Sequence, residues 1–406
     1  MALEWWQMPG PATLIQQVLD DLESGQCVVV GLPEYAPTEF RQALAKAADL
    51  ARISRDWYSL PTPPLPGQPW LTWLWEQWHG TEGEACPPHM TTAQLLAKPF
   101  DRAGGIWELP DVSGCAPAEW LKFLQNYQQA LQQVSRLHRN VLLVVVEDSF
   151  GLTQLPRRNQ PQLAFHRYQQ QLTQLDMLLF LSRVAPKADS AIERELYIHT
   201  VAALFPADAE CALALLQEMP LTPEQITEFL EARQRERSWC STTELPATNS
   251  DDAWSRGVDC YVDSRPIRHI CAPAVASLAA CVRQAQWLAQ VRVLLPWIEQ
   301  QRWQLLHNTE LRHYLRTQLQ ETPYEKKFGE EPNMRVVKVS DPDRLEPAQM
   351  LYVLQRRHRP REGATTYLKS TKLHRKLETL LECRNEISHL SPLSENQIVS
   401  LLTVGE

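Results

Sequence analysis

Cys27-Val28-Val29-Val30-Gly31-Leu32-Pro33-Glu34-Tyr35-Ala36-Pro37-Thr38 decides how the first half of this chain is read. Cysteine and three valines in a row, closed by a glycine, predict a strand buried on both faces, as strands inside parallel sheets are. A proline-containing turn follows. Glu39 to Leu50 then repeats its apolar residues at helical spacing, with Thr38 placed to cap it. Upstream, residues 11–24 read as an amphipathic helix ended by Gly25, and downstream residues 52–59 read as a second strand. Residues 61–103 are rich in proline and aromatics, with one short helix around 70–78. Gly105 to Leu109 is a strand, Ala116 to His138 a helix and Val141 to Val146 a strand. The stretch 163–174 reads as helix, and Asp176 to Val184 as another apolar strand. Apolar strands alternating with helices predict an α/β domain, built on a parallel sheet, over residues 1–186.

From Ala188 the pattern turns mostly helical. Residues 187–270 read as a helical extension and linker. They hold a capped helix at 222–236 and a polar stretch at about 240–268 that reads as a linker or a small irregular insert. Residues 271–406 read as a helical domain. Its helices fall at 274–304 (interrupted by Pro296), 309–320, 346–358, 366–389 and 394–402. A winged-helix-like extension at 190–236, and with it a DNA-binding regulator, is a further reading of the middle region.

Composition narrows the function classes. The formal net charge of −8 over 406 residues gives no global nucleic-acid signature. The longest apolar runs are far shorter than the roughly 20 residues a bilayer span needs, so no membrane is expected. MALEWWQMPGP has neither the basic nor the apolar segment of a secretory signal. The nine cysteines form no CxxC pair, which speaks against a zinc ribbon. Reduced thiols in a cytoplasmic protein are expected, with no metal and no cofactor.

The chemistry of the first half turns on a broken motif. A phosphate-binding loop reads G-x-x-x-x-G-K-[ST] between a strand and a helix. Gly31 and Thr38 stand in register with its ends, but Ala36 replaces the second glycine and Pro37 the lysine. Pro37 has neither charge nor N–H, and Glu34 brings a negative charge toward the phosphates. Val141 to Val146, followed by Glu147-Asp148, looks like a Walker B strand, and the stretch ending at Ser182-Arg183 takes the place of a sensor strand. On these residues, residues 1–186 resemble the nucleotide-binding domain of AAA/STAND-type P-loop ATPases. The resemblance implies a P-loop NTPase-like fold whose nucleotide-binding positions are Gly31, Thr38, Glu147 and Asp148. Ala36 and Pro37 make ATP hydrolysis unexpected.

A second motif lies near the end, in Leu380-Leu-Glu-Cys-Arg384-Asn385-Glu-Ile-Ser-His389-Leu390. Arg384 and His389 are separated by four residues, with Asn385 directly after the arginine. This resembles the HEPN family of helical bundles, over roughly 275–406. The resemblance implies a metal-independent endoribonuclease acting through Arg384, Asn385 and His389 of two copies. Residues five apart on one helix point about 140° from each other, so one chain alone does not bring the pair together. Between 351 and 390 nine Lys/Arg face four Glu. Arg356, Arg357, Arg359, Arg361, Lys372, Arg375 and Lys376 are the candidate nucleic-acid-binding residues.

Other patterns have bland readings. Glu193, Glu195 and His199 are a solvated helix face, and His166-Arg167 a surface pair. Trp5, Trp6, Trp70, Trp73, Trp75 and Trp78 are packing residues or an interface. The two resemblances together point to prokaryotic anti-phage defence proteins. Two functions stay open. One is a non-catalytic pseudo-ATPase scaffold or adaptor, with protein partners in a multi-subunit complex or homodimer and with RNA or DNA on the 351–390 region. The other is an HEPN-type ribonuclease effector.

Overall fold

Five strands lie parallel in one sheet: β1 (Cys27–Gly31), β2 (Trp57–Ser59), β3 (Ile106–Glu108), β4 (Val141–Val146) and β5 (Leu163–Arg167). Their spatial order is β2-β3-β4-β1-β5. Val29 sits between Val144 of β4 and Phe165 of β5 in register. Every residue of β1 and β4 is buried, and each fully buried valine or leucine contributes about 1.5–3 kcal/mol relative to exposure. The α/β class is thus present, and the continuously apolar runs are its interior strands.

The computed structural model describes residues 2–79, 85–97, 104–147, 149–169, 171–187, 190–239, 246–247, 250–272, 277–328, 335–355, 368 and 370–405. Two compact units emerge: residues 1–186 with 204–278, and residues 187–203 with 279–406. In the first unit the sheet is joined by α1 (Ala2–Trp5), α2 (Pro9–Glu23), α3 (Phe40–Ala51), α4 (Trp70–His79), α5 (Thr92–Ala97), α6 (Pro117–Leu131), α7 (Ser149–Gln154) and α8 (Gln174–Val184). The chain continues through α9 (Ala191–Leu204), α10 (Ala209–Glu218), α11 (Pro223–Glu236) and α12 (Asp251–Ser255), then the antiparallel hairpin β6 (Asp259–Val262) and β7 (Arg265–Arg268). Asp263 and Ser264 turn this hairpin with positive φ at both positions, as a two-residue hairpin loop requires.

Two expected elements exchange type. Residues 163–167 are strand, because pairing with β1 overrides their local preference. Asp176 to Val184 lies in the helix α8, not in a sensor strand. Thr173 and Asp176 form a reciprocal capping box there, and Met177, Phe180 and Leu181 bury one face at helical spacing. A short apolar run is compatible with either element, so the cap decides. Thr38 does not cap α3 either: Glu39 holds the cap position, without a side-chain bond.

Tryptophans fill the first unit's core. Trp5, Trp6, Trp70, Trp73, Trp75 and Trp78 are all buried, so the packing reading of these residues holds. Trp5 donates its indole N–H to the Tyr168 hydroxyl at 2.6 Å. Gly10 donates its N–H to Asp176 at 2.8 Å. A Cβ on Gly10 would stand 2.2 Å from the Gln171 carbonyl oxygen, so this contact admits only glycine.

The second unit holds α13 (Leu278–His307), α14 (Thr309–Glu321), the hairpin β8 (Tyr324–Phe328) and β9 (Arg335–Val339), α15 (Pro347–Gln355), α16 (Thr371–Ser388) and α17 (Glu395–Gly405). α13 runs unbroken through Pro296. Its core gathers Leu294, Ile298, Leu311, Leu315, Leu377, Leu380 and Leu401, with Leu196 of α9. The buried amide of Gln290 holds one residue of the α16–α17 connection with both its polar atoms, donating to Leu393 O at 3.1 Å and accepting from Leu393 N–H at 2.6 Å. Among the described residues no helix is long and apolar enough to cross a membrane.

Candidate functional site

Parallel strands bring their carboxyl ends to one edge, where ligands of open α/β sheets bind. The loop Leu32–Thr38 leaves β1 at that edge, and its backbone donors can be accounted for one by one. Leu32 N–H bonds Val146 O at 2.9 Å, Glu34 N–H bonds Ser255 O at 3.3 Å, and Ala36 N–H bonds Pro33 O at 2.8 Å. Thr38 N–H bonds the Glu210 carboxylate at 3.3 Å. Pro33 and Pro37 have no donor. Of the loop's seven residues only Tyr35 keeps an N–H without an assigned acceptor. The Tyr35 side chain is turned inward and donates to Tyr168 O at 2.9 Å. Thr38 is exposed.

Gly31 is the last residue of β1. A Cβ there would lie 2.9 Å from Leu152 and from Leu155, and 3.4 Å from Trp254. Apolar side chains therefore pack the floor of the loop, and Trp254 anchors itself through its N–H to Tyr168 O at 3.2 Å. These contacts come from α7, the residue that follows it and α12.

A cation also occupies the strand ends. Arg41 of α3 forms an ion pair with Glu108 at the end of β3, and donates to Leu109 O at 3.3 Å and Val145 O at 3.5 Å. Glu108 further accepts from Trp57 at 3.1 Å and from Ser59 at 3.0 Å. Glu147, just past β4, is exposed, with Arg41 and Asp111 as charged neighbours. Asp148 lies outside the described residues. His166 and Arg167 are not a free surface pair: His166 bonds Asp21 at 2.7 Å and Arg167 bonds Asp251 at 3.1 Å.

A second polar cluster is buried in the first unit. Asp208, Cys211 and His269 present ligand-type atoms within 4.8 Å of one another. The donor set does not fit a metal ion. Cys271 N–H donates to His269 Nδ1 at 3.1 Å, which fixes the proton on Nε2, and Nε2 faces Asp208 at 3.2 Å. Neither ring nitrogen then offers a lone pair to the cluster. Arg237 already supplies the positive charge, ion-paired to Asp208 and 3.5 Å from Cys211 Sγ. Burial opposes the Asp208 charge, yet His269 and Arg237 hold its carboxyl well below the ordinary carboxylate range. Burial lowers the His269 imidazole, against the opposing pull of Asp208. The Cys260 and Cys271 thiols are pushed up to about 12 by burial.

The second unit carries the other candidates. Arg384 is half-buried on α16 and ion-paired with Glu346 at 3.2 Å. Asn385 and His389 are exposed. His389 is the C-cap of α16, and Leu390 after it is left-handed at φ 63° and 70% exposed. A histidine there complements the helix dipole. The motif's arginine is thus engaged by Glu346, while its asparagine and histidine face solvent. His199 is half-buried, 3.9 Å from the Glu195 carboxylate, so its side chain is not on a fully solvated face. Of the basic residues, Lys372, Arg375 and Lys376 lie on the first turns of α16. Arg356, Arg357, Arg359 and Arg361 lie outside the described residues.

Arg41, Glu108, Glu210 and Trp254 were not singled out by sequence. Their pairings join residues far apart in the chain, and no local spacing announces them. Compared with protein-family models the chain matches none, and a search of curated proteins returns no match.

Proposed function

We propose that the first unit is a P-loop-type α/β domain that does not hydrolyse nucleotide, and that the chain is a non-catalytic scaffold or adaptor of a multi-subunit complex. One observation carries this reading. Protein acceptors already take the loop's N–H groups, including the Thr38 N–H bonded by Glu210. A phosphate loop works by leaving such donors open at a helix N-terminus. The Arg41–Glu108 pair adds support, since it places a fixed cation at the strand ends where a metal-bound phosphate would need room. The sheet is consistent with this assignment: β1 lies inside it, with β4 on one side and β5 on the other. The AAA/STAND-like and HEPN-like resemblances suggest the setting, a cytoplasmic prokaryotic defence complex with protein partners.

Calorimetric titration of the full chain with Mg-ATP and Mg-GTP, beside a phosphate-release assay, tests the reading. No binding heat and no release are expected. Tight binding with turnover would overturn it.

The ribonuclease reading draws on the exposure of Asn385 and His389 together at one helix end. Incubating the protein with total RNA, beside Arg384→Ala and His389→Ala, tests it. Cleavage by the wild type that is lost in both variants would establish it, and an intact RNA profile with the wild type would remove it.

A further inference from the structure

Two depressions adjoin on the second unit and share the side chains of Lys372 and Arg375. One, of about 700 Å³, includes His374 and Glu378. The other, of about 430 Å³, runs between α16 and α17 and sets Lys372, Arg375 and Lys376 against Asn396 and Ser400. The three cations stand at i, i+3 and i+4, the spacing that puts side chains on one helix face. Glu378 is the single carboxylate among these lining residues, and it belongs to the larger depression.

Like charges on a solvated face normally diverge into water. Here they line one groove together with amide and hydroxyl groups of a second helix. Neither Lys372 nor Arg375 has an ion-pair partner among the described residues. Burial and the charge of Lys372 push the Lys376 ammonium below the ordinary lysine range. An anion in the groove would relieve that repulsion. The Lys372–Arg375 ridge belongs to both depressions, so a ligand crossing it meets the same cations from both sides. A lone phosphate is far smaller than either depression, whereas a phosphodiester chain is long enough to occupy both.

We propose that this double groove holds the sugar-phosphate backbone of a nucleic-acid strand, with Lys372, Arg375 and Lys376 on its phosphates and Asn396 and Ser400 as polar donors along the α17 wall. The proposal rests on the expectation of RNA or DNA on the 351–390 region, carried with the scaffold reading, and gives it a site. The nucleotide titration reads the first unit and the experiment below reads the second, so either can fail alone.

Labelled single-stranded RNA and DNA oligonucleotides of mixed sequence would be titrated with the full chain, followed by fluorescence anisotropy, at about 50 and about 200 mM salt. Binding that weakens with salt is expected. In Lys372→Ala/Arg375→Ala/Lys376→Ala, affinity should fall roughly tenfold or more, and the log–log salt slope should shrink by about 2, as three lost single-strand phosphate contacts imply. Ser400→Glu, which removes no cation, should weaken binding in the same direction. Arg316→Ala, at an exposed cation of α14, should change neither quantity. Inorganic phosphate at matched phosphate concentration should compete poorly. The proposal is overturned if the wild type binds no oligonucleotide at the lower salt. It is equally overturned if the folded triple variant and Ser400→Glu bind like the wild type, or if inorganic phosphate competes as well as the strand.

Discussion

The polar sites of the first unit and the first turns of α16 in the second treat charge differently. In the first unit several charges have an internal answer: Arg41 meets Glu108, Glu210 meets the Thr38 N–H, Arg237 meets Asp208 and Arg167 meets Asp251. On α16 of the second unit, Lys372 and Arg375 have no such answer among the described residues. Satisfied charges hold a shape. Unsatisfied ones mark a surface where an outside partner lowers the energy. On the readings proposed above, the contrast suits architecture in the first unit and recognition on α16 of the second.

The largest blow to that contrast would come from Asp208→Ala. It would strand the Arg237 charge in the interior, and removing one partner of a buried pair costs about 3–5 kcal/mol. Scanning calorimetry should show a much lower melting temperature for the first unit. Oligonucleotide binding at room temperature should persist wherever the first unit is still folded. An unmoved transition would mean that the cluster carries no stabilising charge pair.

Arg41→Ala is the next largest. It leaves Glu108 with Trp57 and Ser59 and should cost about 1–3 kcal/mol, the range for a lost charge-assisted bond. Adding Ala36→Gly and Pro37→Lys to that variant rebuilds the motif by sequence. Because Leu152, Leu155 and Trp254 still pack the loop floor, phosphate release should stay absent. Its appearance would show that the motif and the Arg41 cation, rather than the packed floor, silence the domain.

Acid gives a smaller, graded effect. The folded state keeps His269 neutral, with its imidazole lowered, while the unfolded imidazole takes a proton near its ordinary value. Unfolded chains therefore bind more protons below about pH 6.5, and stability falls as the pH drops through that region. Asp208 has its carboxyl depressed, so its contribution is complete above about pH 4 and is lost only below that. Melting temperatures between about pH 7 and 5 should decline in the wild type and much less in a folded His269→Gln variant. Smallest of all is Arg384→Ala. Its pair with Glu346 is about one-third exposed on both sides, so it should cost under about 1 kcal/mol by chemical denaturation.

Legibility followed the range of the interaction. Cys27–Gly31 and Val141–Val146 declared themselves because a buried parallel strand needs only apolar residues in a row. Residues 163–184 were inverted. A five-residue strand depends on its neighbour β1, and the helix after it depends on a cap at Thr173 that an apolar run conceals. The departure of Gly31–Thr38 from a phosphate-binding motif was visible in Ala36 and Pro37. What replaced it was not, because Glu210 and Trp254 return from more than 170 residues away. Likewise Lys372, Arg375 and Lys376 could be read from their spacing, whereas the α17 wall opposite them needed the helix connection that Gln290 fixes.

The tryptophan distribution has a practical consequence. Of the 14 tryptophans, all but Trp287, Trp297 and Trp303 belong to the first unit. Intrinsic emission therefore reports mainly on the α/β unit, while far-ultraviolet ellipticity weighs the helices of the second more heavily. Followed by both signals in one denaturant series, the unmodified protein separates the unfolding of its two halves with no label attached.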